Sequence, residues 1–246
     1  MDIPSFSRTL TIHAIDWECE YDENYCDNDH QQIRVWGLDR EDKPHLLRIE
    51  DFPASFYLAL PETVNTGLSN ERKVTWTSDL ARSVVDALRW RFTDKSTRRC
   101  TMYDYNSQHF GMMERLYYYY GDDNKKPMLL LLFKNAEAMR YAANICKGKK
   151  GIDVRYLGNV KGEPLETEIG SILKLLSKQD LTYACWLKVE GNLVSPSNRI
   201  STLKDEYIVK WNTMTRISPE GWFIHPKFLS FDIEVYSHRK KAFPDE

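Results

Sequence analysis

Met128-Leu-Leu-Leu-Leu-Phe133, then Lys134, then Asn135-Ala-Glu-Ala-Met-Arg-Tyr-Ala-Ala-Asn-Ile145 is the stretch on which the fold turns. Its opening run is apolar throughout and bounded by polar residues, the pattern of a short strand covered on both faces. Asn135 stands where a helix needs an N-cap, and Ala138, Tyr141, Ala142 and Ile145 recur behind it at helical spacing. Working outward, Gly121-Asp-Asp-Asn-Lys-Lys-Pro127 reads as a turn back to a tyrosine-rich strand at 117–120, and 152–157 reads as a strand following the helix. Upstream, 74–76 is a short strand, and Ser78 can cap a helix over 79–92 with Leu80, Val84 and Leu88 on one face. The resulting order, β-α-β-β-α-β over residues 73–158, is the split βαβ of ferredoxin-like and RNA-recognition domains. The RNA-binding signature of exposed ring-stacking aromatics between glycines is missing from 128–133, which reads as buried.

Residues 1–61 read as strands and turns: 9–17, 33–36, 46–49 and 56–60, the last ended by Pro61. Such strands pack as a small antiparallel sheet or partial barrel. After 158 the pattern predicts a helix carrying Ile169, Ile172, Leu173 and Leu176, then strands at 183–189 and 206–211, so 159–225 reads as a helix–strand connection.

Composition sets bounds. With 246 residues the chain can bury a real core, and 42% hydrophobic with 28% charged residues is ordinary for a globular protein. A net charge of −2 gives no whole-chain basic footprint, so nucleic-acid binding would rest on local patches. Two such patches are Lys147, Lys149 and Lys150 with Arg155 nearby, and Arg98 with Arg99; each is readable as a phosphate-tracking cluster or as a solvated loop. The five cysteines form no CxxC pair and signal neither zinc nor a disulfide framework. The opening residues lack a basic segment followed by an apolar core, and no apolar run approaches membrane-spanning length, so the chain is expected to be soluble and intracellular, with no membrane partner.

Phe-Leu-Ser-Phe-Asp-Ile-Glu-Val-Tyr-Ser, residues 228–237, alternates. Leu229, Phe231, Ile233 and Val235 share one face, and Ser230, Asp232, Glu234 and Tyr236 the other. Two carboxylates at i and i+2 point the same way and suit a hard divalent cation such as Mg²⁺; a solvated strand edge is the plainer reading of the same residues. His225 and His238 flank this strand as candidates for DNA contact.

Several stretches together resemble the amino-terminal part of family B DNA polymerases of large DNA viruses. They are Ile33-Arg-Val-Trp-Gly37 with Leu47-Arg-Ile-Glu-Asp-Phe-Pro-Ala-Ser-Phe-Tyr-Leu-Ala-Leu-Pro61, the segment 117–146, the helix and strand of 168–189, and Pro226-Lys-Phe-Leu-Ser-Phe-Asp-Ile-Glu-Val-Tyr-Ser237. The last is similar to the first motif of the family's 3′–5′ proofreading exonuclease. The resemblance implies an α+β chain: an N-terminal antiparallel β subdomain (1–61), a ferredoxin-like subdomain (73–158), a connection (159–225), and the first strand of a ribonuclease H-like exonuclease domain (226–246). It further implies that Asp232 and Glu234 bind catalytic Mg²⁺, two ions in a complete site. The implied partners are a DNA primer–template, dNTPs, the remainder of a polymerase chain and a processivity factor. Further exonuclease carboxylates and the polymerase palm would lie beyond Glu246, so these 246 residues alone are expected to be catalytically silent. A non-catalytic nucleic-acid-binding module, or a scaffolding module, is the alternative.

Overall fold

The computed structural model describes residues 7–20, 31–66, 71–92, 102–113 and 126–227. In chain order the first segments are β1 (Ser7–Glu20), β2 (Gln32–Leu38), β3 (Pro44–Ile49), β4 (Ala54–Ala59), β5 (Thr63–Asn65), β6 (Glu71–Lys73) and helix α1 (Ser78–Phe92). They are followed by β7 (His109–Met113), β8 (Lys126–Phe133), α2 (Ala136–Lys147), β9 (Ile152–Val154), β10 (Gly158–Val160) and β11 (Glu163–Leu165). The chain then runs through α3 (Ser171–Lys178), β12 (Trp186–Leu193), β13 (Asp205–Val209) and β14 (Thr215–Ile217).

β1, β2 and β3 form an antiparallel meander by local alternation: Ile33 and Val35 on β2, and Leu47 and Ile49 on β3, are fully buried. The meander does not stand alone. β13 lies parallel to β3, β12 pairs with β13, and β12 pairs again with β1, so five strands close on themselves in the order β1-β2-β3-β13-β12. β14 adds to the free half of β12. This connectivity, with β3 and the last strand parallel and a helix before the fourth strand, is that of an OB-type barrel. Closure removes the exposed edges that an open sheet would present. β1 serves two neighbours because its register shifts between Ala14 and Asp16, a bulge that turns the strand from β12 to β2. Gly37 sits opposite, where a Cβ would lie 2.6 Å from the His13 carbonyl oxygen. The residues at 186–193 and 205–209, in the span expected as a helix–strand connection, therefore supply two of the five strands of the barrel wall, pairing with β1 and β3. α3 contributes Leu175 and Leu176 to the barrel's core.

Everything between β3 and α3 is one long excursion from the barrel. Its main sheet has the order β11-β4-β8-β7, all antiparallel, with α2 packed on β4, β8 and β11. The expected β-α-β-β-α-β order is present, but its outer strands are β4 and β11 rather than 74–76 and 152–157. The reason is pairing: Phe56 and Leu58 of β4 oppose Leu131 and Leu129 of β8 and stack their apolar faces in one core, Phe56 lying on Phe133 at 5.5 Å. β5, β6, β9 and β10 make a separate small sheet in the order β6-β5-β10-β9, with α1 against β9. The 117–120 strand lies outside the described residues. Asn135 caps α2 as expected, accepting from the Ala138 N–H at 2.8 Å.

A buried polar hub ties the excursion to the barrel. The Gln31 N–H donates to the Lys134 carbonyl at 2.9 Å, its side-chain amide donates to the Phe52 carbonyl at 3.0 Å, and Ser171 donates to its Oε1 at 3.1 Å. Lys174 of α3 donates to the Ser55 and Glu166 carbonyls.

The barrel wall also contains a charge. Glu206 on β13 is fully buried, and its carboxylate accepts from Arg48 Nη1 at 2.9 Å, Ser201 Oγ at 3.0 Å, and the N–H groups of Ile200 and Ser201 at 3.1 and 3.2 Å. Burial alone would raise its pKa; these donors outweigh burial and hold it below the usual glutamate value. Because the folded pKa is depressed, the stabilisation is present above the unfolded glutamate pKa of about 4.3 and is lost as pH falls through the folded value. Glu206→Gln is expected to cost about 3 kcal/mol at pH 7 by denaturant unfolding, a difference that shrinks below about pH 4. An unchanged midpoint at pH 7 would remove the ion pair from the account of barrel stability.

Candidate functional site

The acidic strand at 228–237, with Asp232 and Glu234, lies outside the described residues, as do Arg98, Arg99 and His238. The structure describes how the chain is delivered to it. β14 pairs with residues 186–188 of β12, so the segment leaving Ile217 starts against the barrel wall. Trp222 then packs edge-on to Trp186 of β12, with ring centroids 5.3 Å apart, and the Arg40 guanidinium sits 5.0 Å from the Trp222 ring. Three residues later the His225 N–H donates to Asp42 Oδ1 at 2.9 Å, and its Nδ1 lies 3.3 Å from Oδ2.

Both Arg40 and Asp42 belong to the turn between β2 and β3. Asp39 builds that turn by accepting from the N–H groups of Glu41 and Lys43, each at 2.9 Å, while its Oδ2 meets His45 Nε2 at 3.0 Å. Burial works to raise the Asp39 pKa, but the hydrogen bonds from His45, Lys43 and Glu41 prevail and hold the carboxyl below its ordinary value. Asp42 takes a left-handed backbone at φ 58°, which the short polar side chain tolerates and which aims it at His225. His225 is thus an anchor of the approach segment, held by a carboxylate. The sequence offered no hint of Arg40, Asp42, Trp186 and Trp222 acting together, since their meeting depends on barrel closure.

Lys147, Lys149 and Lys150 are all exposed. Lys147 ends α2, where a cation also complements the helix dipole. Gly151, at φ 66°, then folds the chain so tightly that a Cβ would lie 2.4 Å from the Val160 carbonyl oxygen. Arg155 follows the three residues of β9, in the turn that leads to β10. It lines a cleft with Arg72 and Lys73 of β6.

A cation needs several anionic oxygens together, and the described residues contain no group of three or more His, Cys, Asp or Glu placed to hold one. Asp232 and Glu234 carry the hard oxygen donors that Mg²⁺ prefers, and both lie outside the described residues. No helix among the described residues is long and apolar enough to cross a membrane.

Residues 163–246 match the family model "DNA polymerase family B, exonuclease domain". That span starts at β11 and takes in α3 and β12–β14, and with them two of the five barrel strands, together with the segment that carries Asp232 and Glu234. The chain resembles the amino-terminal region of a family B DNA polymerase. It is 26% identical over 250 residues to DNA polymerase 037L of Invertebrate iridescent virus 6, covering 96% of this chain and 19% of the viral protein. In fold it is similar to the family B DNA polymerase of the archaeon Pyrobaculum calidifontis, with a TM-score of 0.53 at 15% identity, over 88% of this chain and 21% of that one. The chain thus spans about a fifth of the polymerases it matches.

Trp222→Ala is expected to cost about 1–2 kcal/mol through loss of the edge-on ring pair and the cation–π contact. In the same variant, amide hydrogen exchange at His225 should accelerate. Wild-type exchange at His225 in the variant would show that the approach segment is held by something else.

Proposed function

We propose that this chain is the amino-terminal part of a DNA-directed DNA polymerase with 3′–5′ proofreading exonuclease activity, serving viral DNA replication. The observation that carries the reading is the match of residues 163–246 to the exonuclease domain of family B polymerases, a span whose sequence places Asp232 and Glu234 two residues apart. The excursion with sheet order β11-β4-β8-β7 is read as a ferredoxin-like unit of that region, and 226–246 as the opening strand of a ribonuclease H-like domain.

Asp232 and Glu234 are the residues that would hold Mg²⁺. Divalent cations bound to such a pair stabilise the attacking and leaving oxygens of a phosphodiester. The chain's own contribution is positional. Trp222 between Trp186 and Arg40, and His225 on Asp42, fix the backbone a few residues before the two carboxylates. Two carboxylates supply too few anionic oxygens to neutralise and orient two cations, so further ligands would complete the site. A primer–template, dNTPs and the rest of the polymerase chain are the partners that follow from the reading, and a processivity factor fits it. The exposed Lys147, Lys149 and Lys150 offer a patch that can track phosphate.

The test uses the longer polymerase that contains this sequence. Asp232→Ala with Glu234→Ala should lower excision of a mismatched 3′ primer end at least 100-fold while primer extension is retained. Excision at the wild-type rate would assign the exonuclease chemistry to other residues.

A further inference from the structure

The small sheet of β5, β6, β9 and β10 has a feature that neither the exonuclease strand nor the lysine patch uses. Between β6, α1 and the turn joining β9 to β10 lies an open cleft of about 230 Å³. Arg72 and Lys73 of β6, Leu80 of α1, and Val154, Arg155 and Tyr156 at the end of β9 line it. Among the described residues no carboxylate lines it. None of the three cations makes an ion pair with a described residue, so their charge is available to a ligand.

Tyr156 points to what that ligand is. It is 85% exposed, far more than a tyrosine held for packing. The Arg155 guanidinium lies 4.9 Å from its ring, and the rest of the aromatic surface is open to solvent. Its backbone is left-handed, at φ 66°, in a turn closed by the Leu157 N–H on the Val154 carbonyl at 3.0 Å. Glycine or asparagine is the low-cost residue at such a position, and a bulky aromatic there is uncommon. A strained, exposed, arginine-backed ring beside unpaired cations is an outlier that packing does not explain.

We propose that this cleft binds single-stranded nucleic acid, with a base stacked on Tyr156 and the adjoining phosphates held by Arg72, Lys73 and Arg155. Stacking platforms beside a basic groove are how strands are held without sequence preference. The cleft is too small and too polar for a typical cofactor pocket, which encloses its ligand among mainly apolar side chains. An open cleft of this size suits one unit of a polymer whose neighbours continue into solvent. The assignment deepens the polymerase reading by naming a surface for an unpaired strand, but it stands on the cleft's own geometry and is tested without any nuclease or polymerase activity.

The experiment is fluorescence anisotropy on the full 246-residue chain with a labelled twelve-nucleotide oligo-dT, the matching oligo-U, and an abasic strand of equal length, across 50–200 mM salt. Arg72→Gln/Lys73→Gln/Arg155→Gln should weaken binding at least tenfold and flatten the log–log salt slope by about 2, the share of three phosphate contacts. Tyr156→Gly relieves the left-handed strain, so it should fold at least as well as the parent. It should weaken binding about five-fold or more on base-bearing strands and leave the abasic strand unaffected. Equal binding of oligo-dT and oligo-U fits the proposal, because stacking and phosphate contacts read neither sugar nor sequence. Wild-type affinity and slope in the triple variant would overturn it, as would an equal loss on the abasic strand in Tyr156→Gly. Binding of a poly-glutamate peptide as tight as oligo-dT through the same residues would also overturn it, making the cleft a site for acidic protein.

Discussion

Closure of the barrel is the constraint on which the other features depend. Two ladders make it: β12 against β1, and β13 parallel to β3. Each joins residues from the first fifty positions to residues beyond 185, so neither forms until the chain between has been gathered in. The entropic cost of such a long loop grows only slowly with its length, which is why a whole second unit can sit between β3 and α3. The same remoteness makes folding depend on non-local contacts. Once closed, the barrel buries Glu206 against Arg48, places α3 over its core, and sets Trp186 where Trp222 can find it.

The path to the acidic strand is therefore a consequence of the barrel. The β2–β3 turn supplies Arg40 and Asp42, β12 supplies Trp186, and these two elements converge only because β1 pairs with both β2 and β12 across its bulge. A substitution that loosens the β1–β12 ladder would act on residues 222–227 without touching them. The hub at Gln31 couples the second unit to the same frame through Lys134, Phe52 and Ser171.

Much of the local structure was legible in the sequence. Alternation gave β2 and β3, the Asn135 cap and the apolar run gave α2 and β8, and the stripe of 169–176 gave α3 close to where it lies. Partnership was not legible. The residues 54–59 alternate as plainly as 46–49, and nothing local says that one set joins the barrel and the other pairs with β8. Residues 152–157 read as a strand, but nothing local says that 152–154 turns back to pair with 158–160, so the small sheet escaped notice. For function, the paired carboxylates at 232 and 234 are a contiguous pattern and could be read directly. The cleft of Arg72, Lys73 and Arg155 is a meeting of distant segments, and the left-handed backbone of Tyr156 leaves no trace in a side-chain pattern.

The central proposal is that Asp232 and Glu234 hold a divalent cation, a few residues beyond the segment anchored to the barrel at Trp222 and His225. The most direct measurement is anomalous diffraction from crystals of the longer polymerase grown with Mn²⁺ in place of Mg²⁺. A manganese peak bridged by both carboxylates, at about 2.1 Å from their oxygens, is the predicted result. Carboxylates turned to solvent or engaged only with protein donors, with the manganese bound elsewhere, would contradict it.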